Sequence, residues 1–97
     1  MSTLHVLSHS PFTDNRLDSC LRLCGGQDAI LLCGDATYAL QAGSSAYKAM
    51  RAKAVEIFVL IEDSQARGLQ VPDWANSVDY PAFVQLSIKH DKVNTWL

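Results

Sequence analysis

A chain of 97 residues, 48% hydrophobic and 19% charged, has room for one globular domain and is no disordered or low-complexity protein. Its formal net charge of −2, with basic residues scattered apart from a small group at Lys48, Arg51 and Lys53, argues against the clustered basic face of a nucleic-acid binder. No apolar run nears the roughly 20 residues of a membrane-spanning helix, and the amino end lacks a charged and apolar leader pattern, so a cytoplasmic location is expected.

Residues 3–7 read as a first strand, broken by Ser8-His9-Ser10-Pro11. Thr13 or Asp14 is expected to cap the following helix by accepting a free backbone N–H in its first turn. Leu17, Cys20, Leu21 and Cys24 then fall at i, i+3, i+4 and i+7, the stripe of an amphipathic helix. Gly25-Gly26 is expected to end it, because glycine accepts the left-handed conformation of many helix C-termini.

The continuous apolar run at residues 29–33 predicts a strand covered on both faces. Gly34-Asp35 opens a short helix through Ala42, closed by Gly43, and residues 44–54 read as a further helix with Tyr47, Met50 and Ala54 on one side. Residues 55–61 form the clearest strand signal. Glu62-Asp63 then starts a helix that ends at Arg67-Gly68, the two carboxylates suiting the positive end of its dipole.

After a loop at residues 71–74, a short strand is expected within residues 76–80. Pro81 suits the first turn of a last helix, where its missing N–H is harmless. Phe83, Val84, Leu86 and Ile88 supply its apolar positions, and the residues beyond are expected to pair at a sheet edge or cover a partner. Strands alternating with helices imply one α/β domain over residues 1–97, with a mainly parallel sheet and helices on both faces.

Few residues announce a chemistry. The three cysteines, Cys20, Cys24 and Cys33, are an odd number in a chain with no export signal, which argues against structural disulfides. Cys20 and Cys24 lie one helical turn apart on the apolar stripe, where a thiol packs as a small hydrophobe. With no second pair of ligands in view, no metal site is expected. Cys33 ends a strand, the place where α/β sites gather and where a helix N-terminus would lower a thiol pKa, but the last residue of an apolar strand reads first as a packed side chain.

His5 reads as a satisfied strand imidazole, His9 as a turn residue, and His90 as a cation near a helix C-terminus. No nucleophile elbow and no glycine-rich phosphate loop is present, so neither a serine hydrolase nor a cofactor site is expected. Trp74, Trp96 and Tyr80 are large aromatics of the kind that anchor protein contacts, and are the interface candidates.

Four stretches together resemble the TusB/DsrH family of sulfur-relay subunits. They are Leu4-His5 with Ser10-Pro11; Asp35, Tyr38-Ala39 and Ala42-Gly43; Glu62-Asp63 with Ala66-Arg67-Gly68; and Asp79-Tyr80, Phe83-Val84, Leu86, His90 and Trp96. Gly34 and Ala36 depart from the pattern. The resemblance implies a DsrEFH-like fold and a heterohexamer with TusC/DsrF-like and TusD/DsrE-like paralogues, which passes persulfide sulfur between carriers. In the Tus branch that sulfur reaches the wobble uridine of tRNA as 2-thiouridine, and the main sulfur-carrying cysteine belongs to the TusD/DsrE-like subunit. This chain is then an assembly subunit without a confident catalytic residue and without direct nucleic-acid contact. The alternative is a DsrH-type subunit of a sulfur-oxidation complex, in which Cys20 itself accepts sulfane sulfur. A third reading, a flavodoxin-like ligand-binding module, lacks the phosphate loop it would need.

Overall fold

The computed structural model describes residues 2–13, 15–53 and 55–96. Five strands, β1 (Thr3–Leu7), β2 (Ala29–Leu32), β3 (Glu56–Leu60), β4 (Asn76–Val78) and β5 (Lys92–Trp96), form one sheet in the order β4-β3-β2-β1-β5. Every pairing is parallel. The connections carry α1 (Arg16–Leu23), a 3-10 helix (Gly34–Leu40), α2 (Ser45–Ala52), α3 (Ile61–Ala66) and α4 (Tyr80–Lys89).

This order explains how the helices are shared between the two faces. From β1 to β4 the chain steps in one direction, and right-handed crossovers in one direction fall on one face. The return from β4 to the far side of β1 reverses direction and puts α4 on the opposite face. Strand alternation follows suit: Leu7, Ile30, Leu32, Ile57 and Val59 pack with α1, the 3-10 helix and α2. Leu4, Val6, Ala29 and Leu31 pack with Leu86 of α4. The second face is thinly covered, and Phe58, Val78 and Phe83 there remain only partly buried.

Several local expectations change. The N-cap of α1 is Asn15, without a side-chain capping bond. Thr13 is occupied elsewhere, its amide and hydroxyl both donating to the Ser10 carbonyl. Asp14, the other cap considered, lies outside the described residues, as does Ala54 at the end of the helix expected over residues 44–54. The glycines after α1 are not left-handed; the helix ends at Cys24 in extended conformation (φ −67°, ψ 129°). Gly25 and Asp28 instead close a turn, Asp28 Oδ2 accepting the Gly25 N–H at 3.0 Å.

Two helix starts carry caps that the sequence reading did not single out. Ser44 caps α2 by accepting the Tyr47 N–H, and Asp79 caps α4 by accepting the Ala82 N–H. Val84 and Ile88 are the main correction: they are 55% and 73% exposed, and only Leu86 of α4 is buried against the sheet.

Candidate functional site

At the carboxyl end of the sheet, β2 runs through Cys33 into a turn that α3 clamps. Gly34 has φ +52°, and a Cβ on it would lie 3.2 Å from the Ser8 carbonyl oxygen. Only glycine fits that turn without strain. Asp63 Oδ2 accepts the Gly34 N–H at 2.7 Å. Arg67 donates to Asp35 Oδ1 through Nη2 (2.9 Å) and Nε (3.3 Å), and to the Asp63 carbonyl through Nη1. Its guanidinium carbon lies 5.7 Å from the Tyr38 ring centre. Glu62-Asp63 thus does more than suit a helix dipole: Asp63 holds the β2 turn in place.

Cys33 is partly buried, and its thiol points at the Leu7 carbonyl. Burial, and then the charge of Asp63, push its pKa up rather than down. Burial dominates, so the Cys33 thiol is not activated.

Cys20 and Cys24 both face the core, their sulfurs 3.9 Å apart. Cys20 has no exposed surface. Burial raises its pKa far above the ordinary thiol value, with the neighbouring Cys24 adding to the shift, and Cys24 is raised by burial as well. Both are neutral thiols at physiological pH. The persulfide candidate of the sequence therefore sits under α1, out of reach of a carrier protein in this conformation.

Folding brings His5 to these thiols. A ring nitrogen of His5 and both sulfurs lie within 4.8 Å of one another. Nδ1 accepts the indole N–H of Trp96 at 3.1 Å. Nε2 is buried without a hydrogen-bond partner, and the nearest carboxylate oxygen, Asp28 Oδ2, is 3.6 Å away. Asp28 is itself held by the Thr3 and Gly25 N–H groups, which keep its carboxyl below the usual range, the Gly25 bond most of all. His5 is thus only half satisfied. No spacing rule links position 5 to positions 20 and 24, so sequence reading misses the cluster.

The three interface candidates have different surroundings. Trp96 is half-buried against the α1 side of the core and tied to His5. Trp74 stacks edge-on against Tyr47 with ring centres 5.1 Å apart. It lines an open cleft of about 770 Å³ with Tyr47, Arg51 and residues 68–73. Tyr80 is exposed, and with Val84 and Ile88 it forms a stripe at i, i+4 and i+8 on α4. Exposed Val93 of the edge strand β5 adds to the apolar surface. A helix apolar on its outer flank as well as its inner one needs a further cover.

A family model described as DsrH like protein matches residues 9–93. The chain belongs to the TusB/DsrH family. Among its relatives, Protein TusB of Pectobacterium parmentieri is 37% identical over 95 residues, covering 96% of this chain and 99% of that protein. Protein TusB of Erwinia tasmaniensis is 36% identical over the same shares of each. The crystal structure of the ychN protein from E. coli superposes with a TM-score of 0.77 over 99% of this chain and all of that one. At 19% identity, that likeness speaks for the fold alone. Among the described residues of this TusB/DsrH member, no helix is long and apolar enough to cross a membrane.

Proposed function

We propose that this chain is an assembly subunit of a sulfur-relay complex that delivers persulfide sulfur toward 2-thiolation of the tRNA wobble uridine. Membership of the TusB/DsrH family and relatives named Protein TusB along nearly the whole chain support the pathway. The observation that carries the assembly role is the exposed Tyr80–Val84–Ile88 stripe of α4, together with an open edge strand β5, in a chain whose thiols are all buried or half-buried. The partners are TusC/DsrF-like and TusD/DsrE-like paralogues, and the reactive thiol resides in one of them. An edge strand with one side unpaired and an apolar helix flank both suit docking of a second α/β chain.

The alternative, sulfur acceptance by Cys20, requires a thiol that this fold hides and keeps protonated. Co-expression with the two paralogues tests the assembly reading. The three chains are expected to copurify, and Ile88→Asp to abolish copurification while the lone subunit stays folded. A subunit that remains a monomer beside its paralogues would overturn it.

A further inference from the structure

The buried cluster under α1 is unexplained by assembly. Two thiols and a half-satisfied imidazole converge there, and an unpartnered polar atom in a core is costly unless something completes it. His5 is 6% exposed, Cys20 fully buried and Cys24 8% exposed. We infer that His5 Nε2, Cys20 Sγ and Cys24 Sγ form a binding site for one zinc ion, with Asp28 next to the imidazole as a neighbouring carboxylate.

The geometry suits the ion. Tetrahedral zinc with Zn–S bonds of about 2.3 Å holds its sulfurs about 3.8 Å apart, and the two sulfurs here are separated by 3.9 Å. The ring nitrogen lies within 4.8 Å of both sulfurs, so only small side-chain movements are needed to close the site. Asp28 Oδ2 lies 3.6 Å from Nε2 but outside the group formed by the ring and the two sulfurs, so its carboxylate, fixed by the Thr3 and Gly25 N–H groups, neighbours the site without being one of its three ligands. Thiolate and imidazole donors select zinc over the oxygen-seeking magnesium and calcium ions.

Charge and protons balance. Each thiol loses one proton as its sulfur binds, so two protons leave for each divalent ion and the buried site gains no net charge. The His5 ring keeps one proton, which moves from Nε2 to Nδ1. Nδ1 then ceases to be an acceptor, and the Trp96 indole N–H must find another. That single lost hydrogen bond is minor beside two zinc–thiolate bonds, and it makes Trp96 a reporter of occupancy.

This site stands independently of the sulfur-relay reading, and metal titration of the full-length, reduced chain tests it. Cobalt(II) is expected to give sulfur-to-metal charge-transfer absorption that saturates at one equivalent and is displaced by zinc. Tryptophan emission is expected to shift in step, and not in Trp96→Phe. The absorption is expected to survive Cys33→Ser and to vanish in Cys24→Ala and His5→Gln. Absence of the absorption from the folded wild type would overturn the site, as would absorption that persists in Cys24→Ala but disappears in Cys33→Ser. Should the variants lose their fold, proton release from the wild type decides. One equivalent of zinc must release about two protons from the weakly buffered chain, whereas release of none or one removes the site.

Discussion

The indole Nε1–H of Trp96 donates to Nδ1 of His5 across 3.1 Å, joining two residues 91 positions apart in the chain. The contact ties the edge strand β5 to the central β1, next to the backbone ladder that pairs His5 with Asn94. His5 and Trp96 lie on the α1 side of the sheet, so the bond is also a lid over the thiol cluster.

Trp96→Phe keeps an aromatic ring and removes the donor, leaving a buried imidazole nitrogen without a partner. The expected cost is about 1–2 kcal/mol. For a domain of this length that lowers the thermal midpoint by roughly 5–10 °C. Circular dichroism melting of the metal-free chain measures it, and an unchanged midpoint would show that the hydrogen bond does not hold β5 in place.

Leu86 and Ile88 are two residues apart on α4, yet one is 9% and the other 73% exposed. Leu86→Ala should cost about 2–3 kcal/mol through the lost burial and the cavity left behind. Ile88→Ala should stay within about 0.5 kcal/mol of the parent. Urea unfolding of the isolated subunit reads both, and equal losses would mean that α4 is rotated from the orientation described.

Gly34→Ala is expected to destabilise by about 1–3 kcal/mol, from the left-handed backbone and the 3.2 Å approach to the Ser8 oxygen. The β2 turn would shift away from Asp63. A urea midpoint equal to that of the parent would be incompatible with this turn geometry.

The thiols and Asp28 shape stability at opposite ends of the pH scale. In the folded chain Cys20, Cys24 and Cys33 all titrate above the ordinary thiol value of 9.0, mainly through burial. The unfolded chain therefore loses thiol protons first, and stability falls as pH rises past 9. Asp28 titrates below its ordinary 3.8, chiefly through the Gly25 bond. Its contribution is intact above that value and is lost as pH falls below it. Urea midpoints with a chelator present should be level near neutrality and drop in both directions. Cys20→Ala should flatten the alkaline limb and Asp28→Asn the acidic one; limbs that do not respond would assign them to other groups.

Local signals in the chain specify most of the architecture. The apolar runs of β2 and β3 need no tertiary information, because a strand covered on both faces is apolar along its length; β2 is buried throughout, and β3 leaves only Glu56 exposed and Phe58 partly buried. Ser44 and Asp79 mark helix starts by accepting an N–H three residues on, and Pro81 suits the first turn of α4 because it has no N–H to leave unpaired. The failures are also local in origin. Gly25-Gly26 looks like a helix terminator, but the carboxylate of Asp28 captures the Gly25 N–H and the helix leaves through an extended Cys24. Apolar residues on α4 suggest a core-facing helix, although the sheet covers only one of its flanks.

Spacing along the chain determined the alternation of strands and helices, the capping bonds and the family, since each depends on near neighbours or on order. Only the tertiary structure decided which helix lies on which face, because that follows from the reversal between β4 and β5. The same reversal sets Trp96 beside His5, and the packing of α1 on β1 sets Cys20 and Cys24 beside it. Contacts between residues distant in sequence arise from strand order and crossover handedness, and no local periodicity encodes them.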